Sequence, residues 1–190
     1  MAFAYDGAWA EYTVAQAVGL TRVPDNVPLE QAAILADAVS TPFGAVVRTG
    51  QVGIGESVGV WGVGGVGTRI VQLARLVGAA PIIAVDIKPA VWTGRSGWAP
   101  TTRWTRAIPG CGTRSPRSPA ADCWMWRSTH VLGHLGYQNV DIEALATLVS
   151  LGRLDLSRSI SDIVSLEDIS AGVEKLERQD GNPIRILVKL

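Results

Sequence analysis

An apolar run, Ser57-Val58-Gly59-Val60-Trp61, leads into the turn Gly62-Val63-Gly64-Gly65-Val66-Gly67 and a helix-patterned stretch to about Leu76. A second apolar run, Pro81-Ile82-Ile83-Ala84-Val85, then ends on Asp86. This succession of strand, glycine turn, helix, strand and acid constrains the chain more than any other feature. In a G-x-G-x-x-G turn the first glycine permits the tight bend, the second lets backbone approach a pyrophosphate, and the third lets the helix pack closely on the strand. Free amides at the helix N-terminus then face the phosphates. Gly62, Gly64, Gly65, Gly67 and Asp86 are therefore the candidate cofactor-binding residues. Asp86, nineteen residues past Gly67, is placed to accept hydrogen bonds from the ribose hydroxyls of the adenosine half. Its charge would repel a 2′-phosphate, so NAD is favoured over NADP.

The rest of the chain is uneven. Its 190 residues carry 17 basic and 17 acidic side chains, but residues 91–127 hold six Arg and one acid, so the remainder is acidic. A neutral chain with an acidic body lacks the electrostatic footprint of a nucleic-acid binder. The start, Met1-Ala2-Phe3-Ala4-Tyr5-Asp6, has no basic region followed by an apolar stretch, and no run approaches the ~20 apolar residues of a membrane span. A cytoplasmic location without membrane partners is expected. Cys111 and Cys123 lack metal-ligand or disulfide-framework spacing.

Residues 7–27 suggest two short strands and a turn, followed by helices from Leu29 to about Leu35 and from Thr41 to about Arg48, with Gly50 as a stop. Beyond the glycine-turn unit the pattern fails. Residues 91–127 contain only two of Val, Ile and Leu beside five of the seven Trp and four Pro, and neither helical nor strand periodicity fits them. They are expected to be irregular. Order resumes with a strand from His130 to Tyr137, a helix from about Asp141 to Leu151, and a strand near Ile160–Val164. A helix opening at Ser165–Asp168 in the manner of a capping box and a closing strand, Ile184–Val188, complete the chain.

These residues resemble the medium-chain dehydrogenase/reductases, specifically the zinc-dependent alcohol dehydrogenase-like members, over about residues 7–90 and 129–190. The carriers are Gly7-Ala8-Trp9-Ala10-Glu11-Tyr12, Leu35-Ala36-Asp37-Ala38-Val39-Ser40-Thr41-Pro42, the glycine turn with Asp86, Gly152-Arg153-Leu154, Leu166-Glu167-Asp168 and Pro183-Ile184-Arg185-Ile186. The resemblance implies an α/β fold: a partial Rossmann-type doubly wound sheet with a remnant of a GroES-like catalytic domain. By domain, it implies a GroES-like remnant over 1–40, an incomplete NAD-binding domain over 41–165, and a helix and strand over 166–190 returning to the catalytic domain. It further implies an oxidoreductase interconverting small alcohols and carbonyls with NAD, using a zinc ion to polarise the oxygen. Asp37 matches the third catalytic-zinc ligand, Thr41 the residue that packs on the nicotinamide, and Val66 its partner on that ring.

The departures matter as much. The family's other catalytic-zinc ligands, a Cys and a His in a Gly-His-Glu context, and the Cys quartet of its structural zinc have no counterpart in the sequence. One carboxylate cannot hold a catalytic zinc, which takes a set of protein ligands, so zinc is not expected to bind here. The alternative is a non-catalytic module that still holds a dinucleotide. His130 and His134, four apart, match the last Rossmann strand and its exit, not catalytic bases; relatives pair into homo-oligomers through that strand.

Because Trp has the single codon TGG, reading one nucleotide earlier turns each Trp into an apolar residue followed by Asp, Gly or Ala. Over Gly97–Thr105 the shifted frame is compatible with the Leu-Gly-Ala-Asp of resembling enzymes. Trp124–Arg127 likewise becomes a plausible strand start. Residues from about 90 to 127 are thus expected to be translated out of frame, with more than one βαβ unit of roughly 30 residues deleted beyond them. The truncated sheet would retain its first two strands and its last, with apolar edges exposed.

Overall fold

The computed structural model describes residues 7–88, 102–104, 124–127, 130–132, 134 and 136–190, the three short internal strands by their backbone. Cys111, Cys123, residues 1–6 and most of 90–127 lie outside the described residues. The chain divides into two compact units, residues 36–141 and residues 1–35 with 142–190.

The 36–141 unit is built on a five-stranded sheet in the order β3-β2-β1-β4-β5. Its strands are β1 (Val58–Trp61), β2 (Ile82–Val85), β3 (Thr102–Trp104), β4 (Trp124–Arg127) and β5 (His130–Leu132). β1, β2 and β3 are mutually parallel; β4 runs antiparallel to both β1 and β5. Alternation along β1 buries Val58 and Val60, while the Trp61 ring folds over Gly59 on the other face, where a Cβ would collide with it. Helix α3 (Gly65–Leu76) crosses from β1 to β2 and seals Ile70, Val71, Leu73 and Ala74 against the strands. It stops at Gly78, whose left-handed φ of 90° lets Ala79 N–H return to Ala74 O at 2.9 Å. Helix α2 (Ser40–Phe43) runs on through a wider-turned segment, Gly44–Thr49, closed by Gly50 N–H on Ala45 O, and packs on α3.

Three expectations for this unit are corrected. Thr102–Trp104 and Trp124–Arg127 are sheet strands although 91–127 read as irregular. Trp and Thr fit a pleated surface well, and the open flanks of β1 and β2 supply backbone partners that periodicity in so short a segment cannot reveal. β1 is consequently an interior strand, not the exposed edge expected of a sheet that had lost its centre. β5 ends at Leu132 instead of continuing to Tyr137, because Gly136 takes φ 81° and the His134 side chain turns onto the 44–49 segment.

In the other unit, β6 (Asp162–Ser165) and β7 (Ile186–Lys189) pair in parallel through helix α5 (Ile169–Arg178). Gly172 lets α5 approach closely, since a Cβ there would stand 3.3 Å from Val164. In the turn before α5 the Ser165 hydroxyl accepts from Asp168 N–H at 3.3 Å and donates to the Asp168 carboxylate at 3.0 Å, but the N-cap is Asp168 and it makes no side-chain cap hydrogen bond, so the expected capping box does not form. Val27, Ile34 and Leu35 are buried, as are Leu145, Ala146 and Val149 of helix α4 (Asn139–Ser150) and Leu154 and Leu156 beyond it. Asn26 exchanges side-chain hydrogen bonds with Ser150, and Gln31 Oε1 accepts Leu156 N–H at 2.8 Å.

The strands expected within 7–27 are absent; a single turn, Ala17–Gly19, interrupts otherwise irregular chain. A strand forms only where an edge supplies partners, and no described strand pairs with this segment, which leaves Trp9, Tyr12, Val14 and Val18 exposed. Helix α1 (Leu29–Ala33) forms as expected after Pro28. No helix among the described residues is long and apolar enough to cross a membrane.

Lys175 Nζ reaches Asp162 Oδ2 at 2.5 Å. That hydrogen bond, with Ile163 N–H and the Lys175 charge adding to it, holds the Asp162 carboxyl below its ordinary value of 3.8. A lowered folded-state pKa means the pair's contribution is fully present above the ordinary Asp value and is lost as pH falls through the lowered one. The melting-temperature difference between wild type and Asp162→Asn should therefore be constant near neutrality and vanish in acid. A difference that persisted there would remove the ion pair from the account.

Candidate nucleotide site

The glycine turn sits where the sequence reading places it, between the carboxyl end of β1 and the first turn of α3. Gly62 takes φ 82°, a left-handed conformation that a β-carbon opposes, and its amide bonds Val85 O at 2.9 Å. Gly64 is the N-cap; a Cβ added there would meet nothing within 4 Å. The first helical hydrogen bond is Thr68 N–H to Gly64 O at 3.1 Å. The amides of Gly65, Val66 and Gly67 precede it and point out of the helix end, where the helix dipole favours an anion. Gly64 is exposed, Gly65 and Val66 are half-buried, and Gly67 is buried against the strand.

Asp86 is half-buried immediately after β2. Its Oδ2 accepts Val63 N–H at 2.7 Å and its Oδ1 accepts Lys88 N–H at 2.8 Å. The acid thus clamps the glycine turn from the neighbouring strand. A carboxylate has about four lone-pair sites, so these bonds leave acceptor capacity for hydroxyls. The hydroxyl of Thr68 faces Val63 O at 3.1 Å and also bonds Gly64 O, bracing the turn from one helical turn ahead. The spacing that flagged the glycines gave no sign of this role for Thr68; a hydroxyl just after the third glycine was the available signal.

Asp37 and Thr41 come together in the same unit. Asp37 is exposed and holds φ 61° and ψ −62°, a strained conformation for a non-glycine residue. It is kept there by Asp37 N–H donating to the buried Ser40 Oγ at 2.9 Å and by Thr41 Oγ1 donating to Asp37 Oδ1 at 3.0 Å. Among the described residues no group of His, Cys, Asp and Glu side chains is arranged to hold a metal ion. The donor set around Asp37, a carboxylate with two hydroxyls, does not fit a catalytic zinc.

His134 lies against Gly44, with Nδ1 2.8 Å from Thr49 Oγ1 and Nε2 2.9 Å from Gly136 O. These contacts make it a tether for the loop after β5. Arg48 meets the buried Asp141 at 2.7 Å, and Asp141 Oδ2 also accepts Gln138 N–H at 2.9 Å, capping α4. Sequence periodicity missed this pair because its partners are 93 residues apart. Asp141→Ala should destabilise the chain by about 2 kcal/mol, less than for a fully buried pair because Arg48 remains partly in water. Urea unfolding checks this: the midpoint falls while the slope is unchanged.

The glycine turn, clamping acid and parallel β1-α3-β2 unit define a partial α/β fold of the dinucleotide-binding type. No protein-family model matches the chain. Over 79 residues it is 38% identical to alcohol dehydrogenase class-3 of Caenorhabditis elegans, a span covering 42% of this chain and 21% of that protein. It is 42% identical, also over 79 residues, to S-(hydroxymethyl)glutathione dehydrogenase of Saccharomyces cerevisiae, covering 42% of this chain and 20% of the relative. The crystal structure of a protein described as a zinc-binding dehydrogenase, from Sinorhizobium meliloti and bound to NADP, aligns with 97% of this chain and 66% of its own. Its TM-score is 0.66 at 17% identity, a likeness of fold. The chain is a relative of the zinc-type, alcohol dehydrogenase-like medium-chain dehydrogenase/reductases, and its match spans about a fifth of the length of these curated relatives.

Proposed function

We propose that this chain is the nucleotide-binding part of an alcohol dehydrogenase-like oxidoreductase that interconverts small alcohols and carbonyls, and that by itself it binds NAD without turnover. The observation that carries this is the Asp86 carboxylate clamping Val63 N–H beside the outward amides of Gly65, Val66 and Gly67. Together they offer an anion site and a hydroxyl acceptor across one turn. When bound, NAD would supply the hydride-accepting ring. The chain's own residues bind the phosphates through the turn, orient the ribose through Asp86 and, through that charge, disfavour a 2′-phosphate. The NADP in the S. meliloti structure belongs to that protein; for this chain the acid favours NAD.

The proposed absence of turnover rests on the donor set at Asp37, which does not fit zinc. For the domains we propose a GroES-like remnant over 1–40, a nucleotide-binding part over 41–165 and a returning segment over 166–190. The grouping of residues 1–35 with 142–190 in one compact unit supports a C-terminal return to the N-terminal part. We also propose that residues from about 90 to 127 are read out of frame, which resequencing the gene tests directly, and that the protein is cytoplasmic. Titration of the full chain with NADH, followed by fluorescence, tests binding: saturation below millimolar cofactor is expected, and none at millimolar would end the proposal. Hydride transfer from a primary alcohol to NAD with added zinc would overturn the proposed inactivity.

A further inference from the structure

An aspartate side chain can react with the backbone of its own chain, because attack of the next residue's amide nitrogen on the carboxyl carbon closes a five-membered imide. Two things hold the reaction back in a folded protein. A bulky side chain on the next residue shields the amide, and hydrogen bonds commit the amide or the carboxylate elsewhere. Asp86, Asp141, Asp162 and Asp168 are held back in both ways: each precedes isoleucine, and each carboxylate accepts a hydrogen bond.

Asp180 differs on both counts. It precedes Gly181 in the turn between α5 and β7, and both residues are exposed. α5 ends on Gln179, a left-handed cap with φ 57°. Gly181 follows at φ 74° and Asn182 at φ 54°, and a Cβ added at Gly181 would meet nothing within 4 Å. The turn is closed by Asp180 N–H on Lys175 O at 3.2 Å and by Asn182 N–H on Gln179 O at 2.9 Å. Those bonds use the amides on either side of Gly181. Among the described residues neither the Gly181 amide nor the Asp180 carboxylate is engaged. Asp6-Gly7 is the other such pair in the sequence, and Asp6 lies outside the described residues.

We propose that Asp180-Gly181 is a site of spontaneous covalent modification, at which the main chain rearranges to an isoaspartyl linkage. The Gly181 nitrogen attacks the side-chain carboxyl carbon of Asp180. A C–N bond forms as the C–OH bond breaks, and the amide proton leaves with the hydroxyl as water. The cyclic imide then takes up one water. Addition at the side-chain carbonyl restores aspartate, whereas addition at the main-chain carbonyl routes the backbone through the Asp180 side chain and frees an α-carboxylate. The product has the mass of the starting chain and a backbone longer by one carbon. That carbon falls inside the ring that Asn182 N–H closes on Gln179 O, so the turn cannot keep its present geometry.

The test holds the full chain at neutral pH and body temperature, folded or in guanidinium chloride, and then digests it with trypsin. Cleavage after Arg178 and Arg185 isolates residues 179–185. This peptide should become two forms of one mass, and the new form should accept a methyl group from S-adenosylmethionine through protein L-isoaspartyl methyltransferase. Asn182 cannot be the source, because Pro183 has no N–H with which to close an imide. The folded chain should convert within about threefold of its rate in denaturant, and at least about tenfold faster than Asp86-Ile87 or Asp168-Ile169. Asp180→Glu, whose longer side chain would have to close a six-membered ring, should melt as wild type and abolish the second form. A folded rate that falls short of either margin would mean that the turn shields the pair, and would overturn the proposal. A single form that accepts no methyl group, or a second form that persists in Asp180→Glu, would overturn it as well.

Discussion

Gly64→Ala is expected to leave the fold unchanged and weaken nucleotide binding at least tenfold, a loss of about 1.4 kcal/mol or more. The two effects separate because of where the new methyl goes. Gly64 has φ −74° and ψ −151°, an extended backbone open to alanine, and its Cβ would meet no atom of the chain within 4 Å. Stability should stay within about 0.5 kcal/mol of wild type, as for surface substitutions that disturb no special feature. The open space lies at the mouth of the α3 N-terminus, where a pyrophosphate must approach backbone to reach the amides of Gly65, Val66 and Gly67. A methyl group there holds the phosphate away from those donors, and hydrogen bonds to an anion weaken steeply with distance and angle. Circular dichroism and thermal melting report on the fold, and ADP or NADH titration on the site. If the variant melts as wild type and binds as wild type, the phosphate does not approach this glycine.

The β1-α3-β2 corner was legible in the sequence because all its determinants are local. Strand alternation, glycine spacing and the terminal acid fall within one stretch of about 30 residues, the size of a βαβ unit, and β1, α3 and β2 form there within a residue or two of expectation. The contact between Ser165 and Asp168 is equally local, but it falls in the turn before α5 and does not cap its first turn. What the sequence hid was pairing. Residues 7–27 have strand-like composition but no described edge to join, whereas Trp124–Arg127 has no readable period and sits in mid-sheet against β1. Composition describes what a segment could do; edges available elsewhere decide what it does. The second engagement of Asp86 was equally hidden. Its distance from the glycines suggested a ribose acceptor, but only the fold brings its carboxylate onto Val63 N–H, 23 residues back.

That second engagement sets the largest combined effect. Asp86→Ala should abolish measurable nucleotide binding and also destabilise the chain by about 1.5–3 kcal/mol, the range for hydrogen bonds to a charged group. Two amides, those of Val63 and Lys88, lose a carboxylate acceptor together. With the Val63 amide released, the turn depends on Gly62 N–H to Val85 O and on the Thr68 hydroxyl to stay in register with the helix end. The contrast with Gly64→Ala is diagnostic: one substitution is expected to block the ligand and spare the turn, while the other is expected to remove a proposed ligand contact and the clamp at once. Asp86→Asn divides the second case. Its amide oxygen can still accept Val63 N–H, so most of the stability should return, but the negative charge does not. The discrimination between NADH and NADPH should therefore narrow in Asp86→Asn even where affinity for NADH partly recovers. If the asparagine variant kept the full preference for NADH, the charge would not be what excludes the 2′-phosphate. Asp86 would then act on the ligand only by positioning the glycine turn.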